Sequence, residues 1–189
     1  MTSRTIGFCI AGLALLLVGC GGGRDSSGEF YTNWDIAGGC ASDAGGDTRV
    51  NALGEPVDVC AAVDPDGWVW VTYAANWCSS SRSQAPQVQR FSRDTHYPVE
   101  LFTVLTSSNE PFTPAQISDA RAWASAHGLP PQRVLAEEST RVIPQHLLLG
   151  PDGRTWYRYI GHLDSEAMGG LLNDFITGER WPDVREIRR

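Results

Sequence analysis

Cys78 is the side chain of this sequence most suited to nucleophilic chemistry. It stands between a run rich in β-branched and aromatic residues, Trp68–Tyr73, and a serine-rich segment, Ser79–Ser81, that is able to begin a helix. A thiol at a helix N-terminus is favoured as the thiolate by the helix dipole and by nearby donors, here the backbone amides and the Ser81 hydroxyl. We therefore expect a lowered pKa for the Cys78 thiol. Because a thiolate attacks disulfides, the sequence predicts thiol–disulfide chemistry at this position.

The positions of the cysteines in the chain divide them into two groups. Cys9 and Cys20 lie in, or directly behind, an N-terminal apolar stretch, which leaves Cys40, Cys60 and Cys78. In an oxidising compartment two of these three pair and one stays unpaired. A Cys40–Cys60 bridge is favoured, since it closes an acidic, glycine-rich segment with little core-forming content and contributes about 3 kcal/mol. Pairing of Cys78 with Cys40 or Cys60 stays open, because a sequence does not fix disulfide connectivity.

The N-terminus has the pattern of a secretion signal. Arg4 precedes the apolar stretch Ile6–Val18, which is too short to cross a bilayer of about 30 Å as a helix. The sequence Leu17–Cys20 that follows resembles the lipobox of bacterial lipoproteins. The resemblance implies that residues 1–19 are removed and that Cys20 carries lipid, with residues 20–35 as a flexible tether. It places the protein in the cell envelope, anchored to a membrane and facing the periplasm or the exterior; ordinary signal cleavage is the alternative.

Charge and composition exclude several functions. The formal net charge is −7, which argues against a nucleic-acid partner. The sequence contains no lysine, so Schiff-base and lysine general-base chemistry are excluded. The histidines show no metal-ligand spacing, and no metal or other cofactor is expected. Acidic residues dominate residues 20–67, which predicts an irregular acidic, glycine-rich extension over 36–67, a folded domain over 68–178 and a tail over 179–189.

The elements that must position Cys78 follow from hydrophobic periodicity. They describe an α/β protein, a mixed sheet with helices on both faces. In the extension we expect one short strand, around Val57–Val59. The remaining elements are a strand from Trp68, a helix from Cys78 to about Arg93, a strand Val99–Leu105, a helix Pro114–His127 with Ile117, Ala120, Trp123 and Ala124 on one face, a strand or loop Val134–Ala136, a hairpin Gln145–Leu149 and Thr155–Ile160, and a helix from Asp164.

Residues 68 to about 177 resemble the thioredoxin family. The segment Trp77–Arg82 is similar to the family's Trp-Cys-x-x-Cys-basic motif, and Pro86 stands where the family has a kinking proline. Ile143–Pro144 resembles the family's cis-proline, and Gly161 matches a family glycine. The resemblance implies a thioredoxin-like sheet flanked by helices. It also implies a catalytic site of Cys78, Ser81 and Pro144, with Trp77, Pro144 and Gln145 lining the substrate groove.

Two departures from the family motif restrict the chemistry. Ser81 occupies the position of the second cysteine and Thr72 that of a buried carboxylate. Because a serine does not resolve a mixed disulfide, we expect monothiol exchange with protein thiols or disulfides, or sulfenic acid formation, instead of a dithiol cycle. The alternative is a degenerate domain that serves for binding or as a scaffold.

His146 is a candidate replacement for the missing carboxylate. In an extended strand it shares a face with Pro144, which would bring it near Cys78 and Thr72. An imidazole there is a possible proton acceptor. The alternative is a core histidine satisfied by local hydrogen bonds.

Overall fold

A seven-stranded sheet and three α-helices make up the folded part of the chain. The computed structural model describes residue 40 and residues 48–111, 113–137 and 142–181. The predicted leader, the lipidation site Cys20, the tether and most of the C-terminal tail lie outside the described residues. The strands are β1 Thr48–Asn51, β2 Pro56–Asp58, β3 Trp68–Ala75, β4 Val99–Ser107, β5 Val134–Ala136, β6 Gln145–Leu149 and β7 Thr155–Ile160; the helices are α1 Ser79–Asp94, α2 Ile117–His127 and α3 Ser165–Ile176.

The strand order is β2-β1-β5-β4-β3-β6-β7. β3 pairs in parallel with β4 and antiparallel with β6, and β4 pairs in parallel with β5. All eight residues of β3 are buried, as expected for a strand that reads as a continuous apolar run. The mixed sheet predicted from the sequence is therefore confirmed, and the segment Val134–Ala136, left open between strand and loop, is a strand.

The two faces of the sheet are covered by different parts of the chain. Trp68, Trp70 and Ala74 of β3 lie in one core with the buried residues of all three helices. The alternate β3 residues, from Val69 to Ala75, lie in a second core with Cys78 and with residues of the extension. The prediction of helices on both faces is thus wrong for the described residues. Because β3, β4 and β5 are neighbours in chain order, the two right-handed crossovers α1 and α2 fall on the same face.

Part of the N-terminal extension belongs to the sheet. β1 and β2 form an antiparallel pair, and β1 also pairs with β5. The strand expected around Val57–Val59 is found as β2, whereas β1 was not expected from its polar sequence. The edge of β5 supplies hydrogen-bond partners to β1, and this pairing outweighs the weak preference of the β1 sequence for a strand. The short 3-10 turn Val59–Ala62 then brings Cys60 onto the second face.

The helix boundaries follow from capping. α1 lies where it is expected, but α2 begins at Ile117 and not at Pro114, which forms a bridge with Ser107. A capping box of Gln116 and Asp119 fixes this start. Ile117 is therefore exposed in the first turn, and the buried face of α2 is limited to Ala120, Trp123 and Ala124. α3 begins where expected, since Asp164 accepts a hydrogen bond from the backbone N–H of Ala167 at 2.7 Å.

Candidate functional site

Cys78 lies at the junction of the central strand and the first helix. Its backbone N–H donates to the carbonyl of Ala75 at 3.1 Å, and its own carbonyl accepts from the N–H of Arg82 at 3.0 Å. It is the N-cap residue of α1, with extended backbone angles. The side chain retains its thiol and is 0% exposed. The structure therefore places a thiol at a helix N-terminus, which favours the thiolate, and covers it, which favours the neutral form.

Ser81 and Arg82 follow Cys78 in the first turn of α1. Ser81 is fully buried, and within the described residues its hydroxyl makes no hydrogen bond, so the expected hydrogen bond from Ser81 to the Cys78 sulfur is not formed here. Arg82 is exposed and its Nη1 donates to the carbonyl of Asn76 at 2.6 Å. The guanidinium thus stabilises the turn that carries Trp77 and Cys78.

Pro144 lies at the same end of the sheet as Cys78. The peptide bond between Ile143 and Pro144 is cis, and the carbonyl of Pro144 accepts from the N–H of Gly161 at 2.9 Å. Because Gln145 pairs with Tyr73, Pro144 stands beside the end of β3 from which the chain turns to Cys78. Cys78, Ser81 and Pro144 are thereby brought to one end of β3.

The residues predicted to line a substrate groove are largely covered. Pro144 and Gln145 are buried, and Trp77 is half-buried against the same core as Cys78. Neither Oε1 nor Nε2 of Gln145 makes a hydrogen bond within the described residues. A groove beside Cys78 therefore requires side-chain movement before a substrate enters.

His146 is held in a fixed environment on the helix face of the sheet. Its Nδ1 accepts from Nε1 of Trp70 at 3.2 Å and lies 3.2 Å from Oγ1 of Thr72. Burial lowers the pKa of His146 to about 3; the backbone of Gly161 partly opposes this shift and the nearby His162 adds to it. His146 is neutral and a weak base near neutral pH, which argues against the predicted proton acceptor. The alternative, a core histidine satisfied by local hydrogen bonds, holds for Nδ1 but not for Nε2, which has no hydrogen-bond partner within the described residues.

Trp70 is the partner of His146 that sequence reasoning missed. Its cross-strand neighbour on β6 is Leu148, while the indole reaches diagonally to the imidazole two residues away. That contact depends on the register between β3 and β6, strands that are far apart in the chain. No local pattern in the sequence reports this register.

Cys40 and Cys60 form a disulfide with a Cα–Cα distance of 5.6 Å, the pairing that the sequence favours. The N–H of Cys40 donates to the carbonyl of Gly153 at 2.8 Å, which fixes the bridge beside the β6–β7 turn. That turn follows Leu149, the partner of Val69 at the start of β3, whereas Cys78 follows the end of β3. Six residues of strand separate these ends by about 20 Å. The bridge is therefore not placed to exchange with Cys78.

Neither a group of metal ligands nor a membrane-spanning helix occurs in the described part of the chain. Among residues 48–111, 113–137 and 142–181, with residue 40, no three His, Cys, Asp or Glu side chains are grouped as metal ligands. In the same part of the chain, no helix combines the length and the apolar character needed to span a membrane.

Comparison with solved structures identifies the fold. A thiol:disulfide interchange protein of the thioredoxin family from Chlorobium tepidum TLS matches with 13% identity and a TM-score of 0.54, over 68% of this chain and 91% of that chain. The pneumococcal exposed lipoprotein thioredoxin from Streptococcus pneumoniae matches with 16% identity and a TM-score of 0.54, over 68% and 98%. StoA from Bacillus subtilis matches with 17% identity and a TM-score of 0.52, over 67% and 96%.

No family model and no curated protein matches the sequence. The fold is thioredoxin-like, and the fold class predicted from the sequence is confirmed.

Proposed function

We propose that this chain is a membrane-anchored thioredoxin-like lipoprotein that performs thiol–disulfide exchange through Cys78 alone. The observation that carries the proposal is the thiol of Cys78 at the N-terminus of α1, beside Pro144, while Cys40 and Cys60 are joined to each other. The names of the similar structures, which include a thiol:disulfide interchange protein and an exposed lipoprotein thioredoxin, support this reading.

The proposed reaction is a single exchange. The Cys78 thiolate attacks one sulfur of a substrate disulfide, a new disulfide forms to Cys78, and the other substrate sulfur leaves as a thiolate. In a dithiol enzyme the second cysteine then attacks the mixed disulfide, but Ser81 carries no sulfur. An external thiol must therefore release the adduct, by attacking the sulfur of Cys78 or that of the bound substrate half.

The burial of Cys78 predicts how the reaction depends on its substrate. A side chain that is 0% exposed reacts only after its cover moves, so a small disulfide must wait for spontaneous opening. A substrate that stabilises the open form reacts faster than its intrinsic chemistry suggests. We therefore expect slow reaction with small reagents and faster reaction with a matched substrate.

The exchange is tested with the full chain purified in detergent. A chromogenic aromatic disulfide is added across pH 5 to 9, and the modified residue is mapped by non-reducing peptide mass spectrometry. We expect one reactive thiol, at Cys78, and no reaction in a Cys78→Ser variant, whereas a Ser83→Ala control, at an exposed residue of the same helix, keeps the full reaction. An unreactive Cys78 in the folded chain, which reacts only after denaturation, would sink the exchange proposal.

The anchor is tested separately. Cys20→Ala, expressed with its leader in a bacterial host supplied with labelled palmitate, is expected to lose both the label and the membrane association that the wild-type chain shows. A chain that carries no label, or that keeps its label in the variant, would contradict lipidation at Cys20.

A second candidate function is a binding or scaffold domain without catalysis. The full burial of Cys78 and the neutral state of His146 favour it, since neither is typical of a working thiol enzyme. The exchange function requires the sulfur of Cys78, whereas the binding function does not. A partner that is retained equally by the wild-type chain and by Cys78→Ala, without a disulfide, would support the binding function.

A further inference from the structure

Trp181 differs from the other tryptophans of the described residues in its exposure. It is 80% exposed, whereas Trp68, Trp70 and Trp123 are at most 6% exposed. Ile176, the last residue of α3, is 40% exposed and lies close to it in the chain. We call these two residues, Ile176 and Trp181, the Trp181 patch. An indole left in water forgoes the burial that usually stabilises it, so the patch has the character of a contact surface.

The Trp181 patch lies beside the start of β3. Phe175, in the last turn of α3, packs on Trp68 with ring centroids 6.1 Å apart. The backbone N–H of Arg180 donates to the carbonyl of Asp174 at 3.0 Å, and its guanidinium lies 5.6 Å from the ring centre of Phe175. The residue before Trp181 is thereby fixed to the end of α3. Cys78 follows the opposite end of β3, so eight residues of strand, about 25 Å, separate the patch from the thiol.

The chain that leads to Cys20 leaves the folded unit at the same end. The N–H of Cys40 donates to the carbonyl of Gly153 at 2.8 Å, in the turn between β6 and β7. That turn follows Leu149, which pairs with Val69 at the start of β3. The chain from Cys20 to Cys40 reaches at most about 70 Å when it is extended. A lipid on Cys20 therefore keeps the Trp181 patch within reach of the membrane surface.

The chemistry of the patch fits the border between lipid and water. An indole combines a large apolar ring with an N–H donor, the combination that is enriched at this border. Two side chains alone bind a bilayer weakly, but a tether raises their effective concentration, so a weak contact is sufficient. Asp64 and Asp66 are exposed in the turn before β3, at the same end, and they oppose attraction to anionic lipids. The patch thus fits an uncharged lipid surface.

We propose that the Trp181 patch docks on the bilayer to which Cys20 is attached, with Ile176 and Trp181 at the lipid–water border and Cys78 at the far end of the domain. The inference rests on the membrane anchor of the proposed function and adds an orientation to it. Docked in this way, the thiol stands about 25 Å farther from the bilayer than the patch. It meets its substrates in the aqueous compartment and not in the plane of the membrane.

The test uses the full chain, expressed with its leader in a bacterial host, extracted in detergent and reconstituted into phosphatidylcholine vesicles that are collected by flotation. Vesicles with and without a phosphatidylcholine brominated near the head-group end of its acyl chain are compared, because bromine quenches tryptophans at the lipid border. We expect Trp181→Phe to reduce the quenched emission by about one-seventh of the total, since Trp181 is one of seven tryptophans. Trp77→Phe, beside the thiol, is expected to leave the quenched emission unchanged.

A matched pair of isoleucine variants tests the docking with Trp181 in place. Ile176→Asn removes the apolar partner of Trp181, and the quenching of Trp181 is expected to fall about threefold. Ile117→Asn changes an isoleucine of similar exposure, 37% against 40%, in the first turn of α2, and is expected to leave the quenching unchanged. Both residues are exposed, so both urea midpoints are expected to stay near that of the wild-type chain.

The outcomes separate the docking from the proposed function. A chain that floats with the vesicles and is quenched equally with and without Trp181 refutes the docking, and the anchor and the exchange function stand. Quenching that is lost in Trp77→Phe instead refutes the orientation. A dimer in detergent that Ile176→Asn dissociates would assign the patch to a second copy of the chain and overturn the proposal. A chain that does not float with the vesicles refutes the anchor and the docking together.

Discussion

The neutral state of His146 gives a measurable acid dependence of stability. Burial lowers the pKa of His146 from 6.5 to about 3 in the folded chain, while an unfolded chain titrates near the ordinary value. Between these two pKa values the unfolded state binds one more proton than the folded state. The contribution of His146 to the free energy of unfolding is therefore fully present above about pH 6.5. It is lost as the pH falls toward 3, with a slope of about 1.4 kcal/mol per pH unit. From pH 7.5 to pH 4 the loss from this residue is about 3 kcal/mol.

A His146→Gln variant isolates this effect from the titration of carboxylates. Glutamine offers an oxygen to the indole N–H of Trp70 but does not titrate between pH 4 and 7.5. Urea denaturation followed by tryptophan fluorescence gives the unfolding free energy of both proteins at each pH. The advantage of the wild-type chain over the variant is expected to shrink by about 3 kcal/mol on going from pH 7.5 to pH 4. A pH-independent difference would mean that His146 binds a proton as easily folded as unfolded, which would restore it as a proton acceptor.

Three further predictions concern the scaffold around the site. Gly150→Ala places a Cβ on the indole of Trp156 and is expected to lower the free energy of unfolding by about 1–3 kcal/mol. Gly169→Ala, with no atom within 4 Å of its Cβ, is expected to stabilise α3 by about 0.5–1 kcal/mol. The two variants are therefore expected to shift the thermal midpoint in opposite directions. Replacing both residues of the Cys40–Cys60 bridge, which spans 20 residues, by serine is expected to cost about 3 kcal/mol in urea denaturation, and an unchanged midpoint would show that the bridge adds nothing. Glu137→Gln breaks a buried ion pair with a 3.3 Å separation and is expected to cost about 3 kcal/mol, measured in the same way; a loss within the error of the fit would contradict it.

The order of elements from β3 to α3 could be predicted because each element carries its own local signal. β3 is a continuous apolar run, and the serines behind Cys78 begin α1. The position of Pro144 beside Cys78 followed from the family resemblance and not from periodicity. β1 could not be predicted, since the sequence Thr-Arg-Val-Asn forms a strand only because β5 offers it an edge.

The state of the site residues depends on contacts between distant parts of the chain. His146 is a plausible base when only its neighbours in sequence are considered, and the indole of Trp70 and the depth of burial change this assessment. The burial of Cys78 likewise comes from a core built by Tyr73, Ile143 and the extension together. Such contacts fix protonation and access, and no local pattern encodes them.

The pairing of β1 with β5 has a consequence for how the folded unit can be cut. A fragment that starts at Trp68 would uncover the hydrogen-bonding groups of β5 and, at the same time, the apolar residues of the second core. Unpaired edge strands beside an exposed apolar surface act as templates for aggregation. In the intact chain the border beyond β1 is β2, only three residues long and begun by Pro56, which lacks an N–H. The β1–β2 hairpin thus covers the edge of β5 and ends the sheet in a short strand that is a poor template for further pairing. We therefore expect the domain that carries Cys78 to aggregate when this hairpin is removed.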